Sequence, residues 1–189
     1  MSTIEEELSK MRAGLPYNAH TPEMYAYRHE VKKKLHRLNV TEYHTENMNN
    51  VMRELFPNSA SDFFVEPPFY CDYGDGIYAG DGVFINFGAV ILDGAQVRIG
   101  RKTLIAPGVH IYTAQHPLKA AEREICENCL PVTIGERCWI GGNVTICPGV
   151  TIGDRSVIGA GSVVASDIPN DSLAVGNPAK VIRRIENEQ

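Results

Sequence analysis

The sequence predicts a mainly β fold: a solenoid of short strands with helices at its N-terminal end. Three observations carry that reading. Ile134 to Pro169 divides without a gap into six hexads, IGERCW, IGGNVT, ICPGVT, IGDRSV, IGAGSV and VASDIP, each opening on a branched aliphatic residue. The same spacing exists upstream: Val65, Cys71 and Ile77 are six apart, as are Ala79, Ile85, Ile91 and Val97, and Ile99, Ile105 and Ile111 follow after a two-residue slip. The first sixty residues carry helical spacing instead.

A period of six fits neither the helical period of about 3.6 nor the strand period of about 2. A fixed short repeat with one aliphatic position reads as stacked coils that turn that position inward. IAPGVHI at Ile105 and ICPGVTI at Ile146 are near copies, as internal duplication would leave them. Three hexads closing one coil need about 18 residues, with neighbouring coils about 4.8 Å apart.

In the N-terminal part, Ile4 to Ala13 reads as a helix stopped by Gly14-Leu15-Pro16. Thr21-Pro22-Glu23 is an N-cap followed by proline in the first turn. Met24, Tyr27, Val31, Leu35 and Leu38 then recur at three- and four-residue steps, giving one apolar helical face. Lys32, Lys33 and Lys34 fall mostly on the opposite, solvated side. A third helix starts at Thr45 and ends before Pro57, with Met48, Val51, Met52 and Leu55 inward. The expected organisation is a helical cap over 1–60, the solenoid over 61–171 and a C-terminal segment over 172–189. The cap covers the first coil, whose open edge would otherwise invite pairing with another chain.

Composition excludes several classes. At 189 residues with 43% hydrophobic and 22% charged residues, the chain suits one soluble domain. No apolar run approaches the roughly 20 residues of a membrane span. The acidic start MSTIEEELSKMRAG lacks signal-peptide character, so a cytoplasmic location is expected. A net charge of −5 argues against a nucleic-acid partner, which needs a basic face. Cys71, Cys126, Cys129, Cys138 and Cys147 are scattered and expected to be reduced.

The repeat fails once. After Ile111 the next aliphatic is due near position 117, yet the frame resumes at Ile134, so roughly 116–132 leaves the stack as a loop. Long loops on rigid scaffolds are disproportionately functional. His116, at the expected point of departure, is the candidate catalytic base, since imidazole takes a proton near neutral pH. Stacking the hexads at Cys71, Ile91 and Ile111 puts Asp72, Asp93 and the His116 corner on one side of the prism, with Asn86 on the adjoining face. His110, one hexad before His116, faces elsewhere, and the pair does not chelate. The lone Cys126-x-x-Cys129 lacks the second pair of a zinc ribbon, so no metal is expected. Lys180, Arg183 and Arg184, after Gly176-Asn177-Pro178, form a rare positive cluster and read as a phosphate-binding edge.

EPPFYCDYG, IAPGVHIYTAQHP, the run from Pro131 to Val164, DIPNDSLAVGNPAKVIRRI and the early KMRAGLPY together resemble the maltose/galactoside O-acetyltransferases of the hexapeptide-repeat superfamily. The resemblance covers nearly the whole chain. It implies a left-handed parallel β-helix, a homotrimer with active sites between subunits, acetyl-CoA as donor and a sugar hydroxyl as acceptor. It implies His116 as general base in a direct ternary-complex transfer, with the Gly142 N–H stabilising the oxyanion. It carries the acceptor site onto Arg28, Asp72, Asn86, Asp93 and Glu127, and the CoA groove onto Trp139, Gly142, Ala160, Ser166, Lys180 and Arg183. The chain departs from the pattern at Ala19, where relatives often have an acid, and at Ala165-Ser166, where some have Thr-Lys. Rival readings are a xenobiotic (antibiotic) O-acetyltransferase of the same fold, and a non-catalytic or metal-dependent β-helix protein.

Overall fold

The computed structural model describes residues 3–186. Three helices come first: α1 (Ile4–Arg12), α2 (Pro22–Val40) and α3 (Glu46–Leu55). Each opens on a threonine whose side chain accepts an N–H of the first turn: Thr3 from Glu6, Thr21 from Met24 and Thr45 from Met48. Thr3 and Glu6 complete a reciprocal capping box. The apolar stripe of α2 is buried at Met24, Val31, Leu35 and Leu38. That of α3 is buried at Met48, Val51, Met52 and Leu55. Most of these side chains join one continuous core with Val65, Phe69 and Ile77 of the first coil. Asn39 clasps that junction, donating to the Phe69 carbonyl at 3.0 Å and accepting the Phe69 N–H at 2.9 Å.

From Phe64 onward the chain winds into a solenoid whose strands form three parallel sheets, one per face. The first face stacks the strands at Phe64–Val65, Phe84–Ile85, Leu104–Ile105, Trp139–Ile140, Val157–Ile158 and Ser172–Gly176, and ends in the antiparallel strand Ala179–Arg184. Tyr70–Cys71, Val90–Leu92, His110–Tyr112, Thr145–Ile146 and Val163–Val164 make the second face, and Ile77–Ala79, Val97–Ile99, Val132–Ile134 and Thr151–Ile152 the third. Aliphatic residues stack in register down the interior, as in Ile85, Ile105, Ile140 and Ile158, all at most 1% exposed.

The coil length departs from the expected 18 residues in one informative way. Ile140 and Ile158 are partners at that spacing, but Val65, Ile85 and Ile105 are partners twenty residues apart. The two extra residues lie in the turn between the second and third faces, which runs six residues from buried Cys71 to Ile77 and from Ile91 to Val97 but four from Ile146 to Val150.

At the corner between the first and second faces, the chain turns through left-handed backbone at Gly88, Gly108, Asn143 and Gly161, with φ between 56° and 76°. Gly141, beneath this corner, has no room for a side chain, because an added Cβ would lie 2.6 Å from the Ala160 nitrogen of the next coil.

The interruption leaves the stack after Thr113, whose N–H still bonds the Leu92 carbonyl at 3.0 Å. The departure therefore precedes His116 by three residues. Ala114–Gln115 pairs antiparallel with Asn128–Cys129, a short helix α4 (Ala120–Arg123) lies between them, and the solenoid resumes at Val132, opposite Val97. Among the described residues no helix is long and apolar enough to cross a membrane.

Candidate active site

The turn after the first strand of the second face is the foundation of the site. Asp93 is fully buried and holds that turn through both carboxylate oxygens. Oδ1 accepts the N–H groups of Asp72 (3.1 Å) and Tyr73 (2.9 Å), and Oδ2 accepts that of Gly76 (3.0 Å). Burial pushes its carboxyl up to about 6, against the pull of the Tyr73 N–H and the Arg12 guanidinium. Asp93 thus differs from the open acceptor contact expected of it: it has no exposed surface to offer a ligand, and its oxygens are committed to backbone.

Arg12, at the end of α1, locks the same turn from below. Its guanidinium donates to the carbonyls of Asp93 and Gly94, pairs with Asp75 at 2.5 Å and lies 5.3 Å from the centre of the Tyr73 ring. The Tyr27 hydroxyl donates to the second oxygen of Asp75 at 3.1 Å. On the other side, Arg28 of α2 donates to the Tyr73 hydroxyl (3.3 Å) and the Ala19 carbonyl (2.8 Å), and its plane lies over the Tyr25 ring at 5.1 Å. The His20 ring nitrogen Nδ1 and the Tyr25 hydroxyl share a hydrogen bond of 2.9 Å.

These contacts enclose a cleft of about 220 Å³ walled by Arg28, Asp72, Tyr73, Ala114 and Glu127, with Tyr17, Ala19, His20 and Tyr25 around it. Three of the expected acceptor residues, Arg28, Asp72 and Glu127, therefore meet there. Burial raises the Asp72 carboxyl, opposed by Arg28 and reinforced by Glu127. A small buried cluster of Met11, Tyr17, Ala19, Met24, Tyr73, Ala95 and Cys129 underlies the cleft, joining cap, coil and loop. A larger groove of about 500 Å³ between α2 and the second face, lined by Lys32, Leu35, His36, Tyr70 and Leu92, meets the cleft at Asp72.

His116 follows the Ala114–Gln115 strand, with an exposed side chain two residues from the wall residue Ala114. No hydrogen bond joins it to Glu127 among the described residues. Asn86 lies elsewhere. Its side chain accepts the Phe87 N–H at 2.9 Å, and it begins the corner between the first and second faces.

The expected donor residues separate by edge. Successive hydrogen bonds, Gly108 to Phe87, Asn143 to Pro107 and Gly161 to Gly142, stack Phe87, Pro107, Gly142 and Ala160 at that same corner. The Gly142 N–H has no acceptor among the described residues. Trp139 is 56% exposed on the outer side of the first face, in register with Val157 and Leu173. Lys180 and Arg183 pair directly with Val175 and Leu173, so they share that outer side. Ser166, following Val164, which is in register with Ile146, lies at the opposite corner of the second face, above Asp72 and the loop.

Reasoning from sequence missed Tyr17, His20, Tyr25, Tyr73 and the Arg12 lock. Arg12 and Tyr17 lie within the quoted KMRAGLPY and Tyr73 within EPPFYCDYG, whereas His20 and Tyr25 had no signal beyond proximity to Arg28 in the chain. Among the described residues no group of three or more His, Cys, Asp and Glu side chains converges on a common point.

Comparison with known proteins identifies the family. Residues 131–166 match the model of the bacterial transferase hexapeptide (six repeats), and residues 10–59 match the maltose acetyltransferase hexapeptide capping motif. The galactoside O-acetyltransferase of Escherichia coli is 43% identical over 143 residues, covering 75% of this chain and 70% of that protein. The crystal structure of a maltose O-acetyltransferase from Clostridium difficile 630 superposes with a TM-score of 0.92 at 43% identity, covering 96% of this chain and 98% of that one. A hexapeptide-repeat acetyltransferase of Vibrio cholerae, solved with acetyl coenzyme A, has a TM-score of 0.84 at 37% identity, covering 99% and 100%. The solenoid is thus the left-handed parallel β-helix of that fold, and the chain belongs to the maltose/galactoside O-acetyltransferase family of hexapeptide-repeat acetyltransferases.

Proposed function

We propose that this acetyltransferase moves the acetyl group of acetyl-CoA to a hydroxyl of a sugar, with His116 as general base and no acyl-enzyme. The observation that carries the reading is the position of His116, just past the Ala114–Gln115 strand and two residues from the wall residue Ala114 of a cleft that holds Arg28, Asp72 and Glu127. Carboxylates and a guanidinium suit sugar hydroxyls, which both donate and accept.

An alcohol is a poor nucleophile until its proton leaves. A neutral imidazole nitrogen of His116 takes that proton as the acceptor oxygen bonds to the thioester carbonyl carbon. The developing oxyanion is stabilised by the unpartnered N–H of Gly142. The C–S bond then breaks, and the leaving thiolate recovers the proton from the imidazolium. A positioned base contributes roughly 10²–10⁴-fold to such a step.

The separation of the edges supports a site shared between two copies of the chain. Gly142 and Ala160 lie at one corner of the second face, and Asp72 and the His116 loop at the other. About five or six extended residues separate the corners, on the order of 15–20 Å, so one carbonyl does not touch both. A neighbouring copy completes the site, and a closed ring of three copies supplies three equivalent sites. CoA then lies between copies, its phosphates toward Lys180 and Arg183 and its body along Trp139, Gly142, Ala160 and Ser166. Asn86 reaches the acceptor from the neighbour's corner, and Asp93 serves by fixing Asp72 and Tyr73.

The test is free-thiol release from acetyl-CoA across a panel of sugars, glycosides and antibiotics, with product analysis. Sugar-dependent release with an O-acetylated product is expected. Release only with an antibiotic would move the chain to the xenobiotic class, and none with any acceptor would overturn the reading.

A further inference from the structure

The charges in the acceptor cleft do not balance. Asp72 and Glu127 both line it, and neither side chain makes a hydrogen bond or ion pair among the described residues. The one permanent cation, Arg28, has its donors on the Ala19 carbonyl and the Tyr73 hydroxyl and its face on the Tyr25 ring. It forms no ion pair with either acid and, like Lys32 of the adjoining groove, acts on Asp72 only through space, so the cleft's own lining of two acids and one guanidinium keeps an excess negative charge. Of the aromatic rings around that charge, Tyr25 and Tyr73 already face Arg28 and Arg12, and Tyr17 has no cation over it among the described residues. The volume of about 220 Å³ lies below the roughly 300–1,000 Å³ of sites for drug-sized ligands, a size for a single ring.

We infer that the acceptor is an amino sugar, whose protonated amine sits between Asp72 and Glu127 while a neighbouring hydroxyl receives the acetyl group. This deepens the O-acetyltransferase reading and rests on it. An ammonium supplies donors to both carboxylates and removes the charge excess, which neutral hydroxyls leave in place. Carboxylates also hold the amine in its charged form. A protonated amine has no lone pair, so it does not attack the thioester. The O–H proton passes to His116, the C–O bond forms, the C–S bond breaks, and the thiolate takes the proton back while the ammonium is unchanged.

The experiment compares kcat/KM for glucosamine, glucose and N-acetylglucosamine by thiol release, at a pH where the amine is protonated. An amine-reactive dye then measures free amine in the product. Glucosamine is expected to exceed both others by at least about tenfold, with its amine still free. Glu127→Gln keeps the backbone bonds of the loop and is expected to shrink that advantage about tenfold, as loss of a charge-assisted contact does. Asp72→Asn, measured in the same way, moves the ratio in the same direction. Equal use of glucosamine and glucose, or an advantage that survives both substitutions, overturns the inference and leaves O-acetyl transfer intact. Acetylation of the amine overturns the inference and, where no sugar yields an O-acetyl product, the O-transfer reading with it. Absence of turnover with every sugar overturns both.

Discussion

Tyr17 and Glu127 exchange both of their backbone hydrogen bonds, at 3.1 and 3.3 Å, in an isolated antiparallel bridge. The bridge ties the arm between α1 and α2 to the loop that interrupts the solenoid. The Tyr17 hydroxyl adds a contact of 3.7 Å to the Cys129 sulfur. The cap therefore forms part of the cleft proposed to take the acceptor, and also covers the first coil. Tyr17→Pro removes the donor of the 3.1 Å bond. The amides of Asn128 and Cys129 should then exchange with solvent at least about tenfold faster, since local opening sets exchange. The acceptor KM should rise while the acetyl-CoA KM holds.

Asp93 makes stability depend on pH with a definite sign. Its folded pKa of about 6 lies above the unfolded value of about 3.9, so the native state binds a proton that the unfolded chain has released. The stabilisation is complete below about pH 4 and is lost as pH rises through about 6, with a slope of at most about 1.4 kcal/mol per pH unit. Asp93→Asn lacks this component. Denaturant unfolding of both proteins from pH 4 to pH 7 should show the wild type losing stability relative to the variant as pH rises.

Lys180 and Arg183 share the outer side of the first face with Trp139. Replacing both by alanine should raise the acetyl-CoA KM at least about tenfold, because each charge-assisted contact contributes roughly 1.5–3 kcal/mol. The acceptor KM should stay within about twofold, since neither residue lines the acceptor cleft. Steady-state kinetics with each substrate varied separately decides between the two sites.

Gly142→Pro tests the two-copy site. Pro107 holds the equivalent corner position in the preceding coil, so this substitution removes the N–H in a place where proline is already accommodated. Homogeneous Gly142→Pro and His116→Ala proteins should each be slow. Co-refolded mixtures should regain activity, because some sites then combine an intact base from one copy with an intact N–H from another. Mixtures no faster than the average of the two parents would place both groups in one chain.

Local chemistry made much of the fold legible. Thr21-Pro22 and Thr45 cap their helices within one turn, and Ile85, Ile105 and Ile140 announce the stack because every coil repeats the same inward position. The two-residue slip was visible, but its cause, a turn between the second and third faces that is two residues longer in the early coils, depends on the closed coil. Inside the loop nothing repeats. Ala114–Gln115 shows no alternation of burial, and α4 buries no residue, so neither element carries a periodic signal. The cleft was legible only in part. Asp72 follows from stacking the hexads, and Arg28 and Glu127 from resemblance, whereas Tyr17, Tyr25 and Tyr73 come from separate segments joined by Arg12, Arg28 and the Asp93 clasp. Asp93 shows the limit of transfer by motif: the position was found, and burial set its task.

The central claim is that chemistry occurs where the repeat is interrupted, at His116. The most direct measurement is kcat for acetyl transfer by His116→Ala, with the oligomeric state of the variant determined in parallel. A fall of at least about two orders of magnitude, in a protein that assembles as the wild type does, is the predicted result. Turnover near the wild-type rate in that assembled variant would contradict the account.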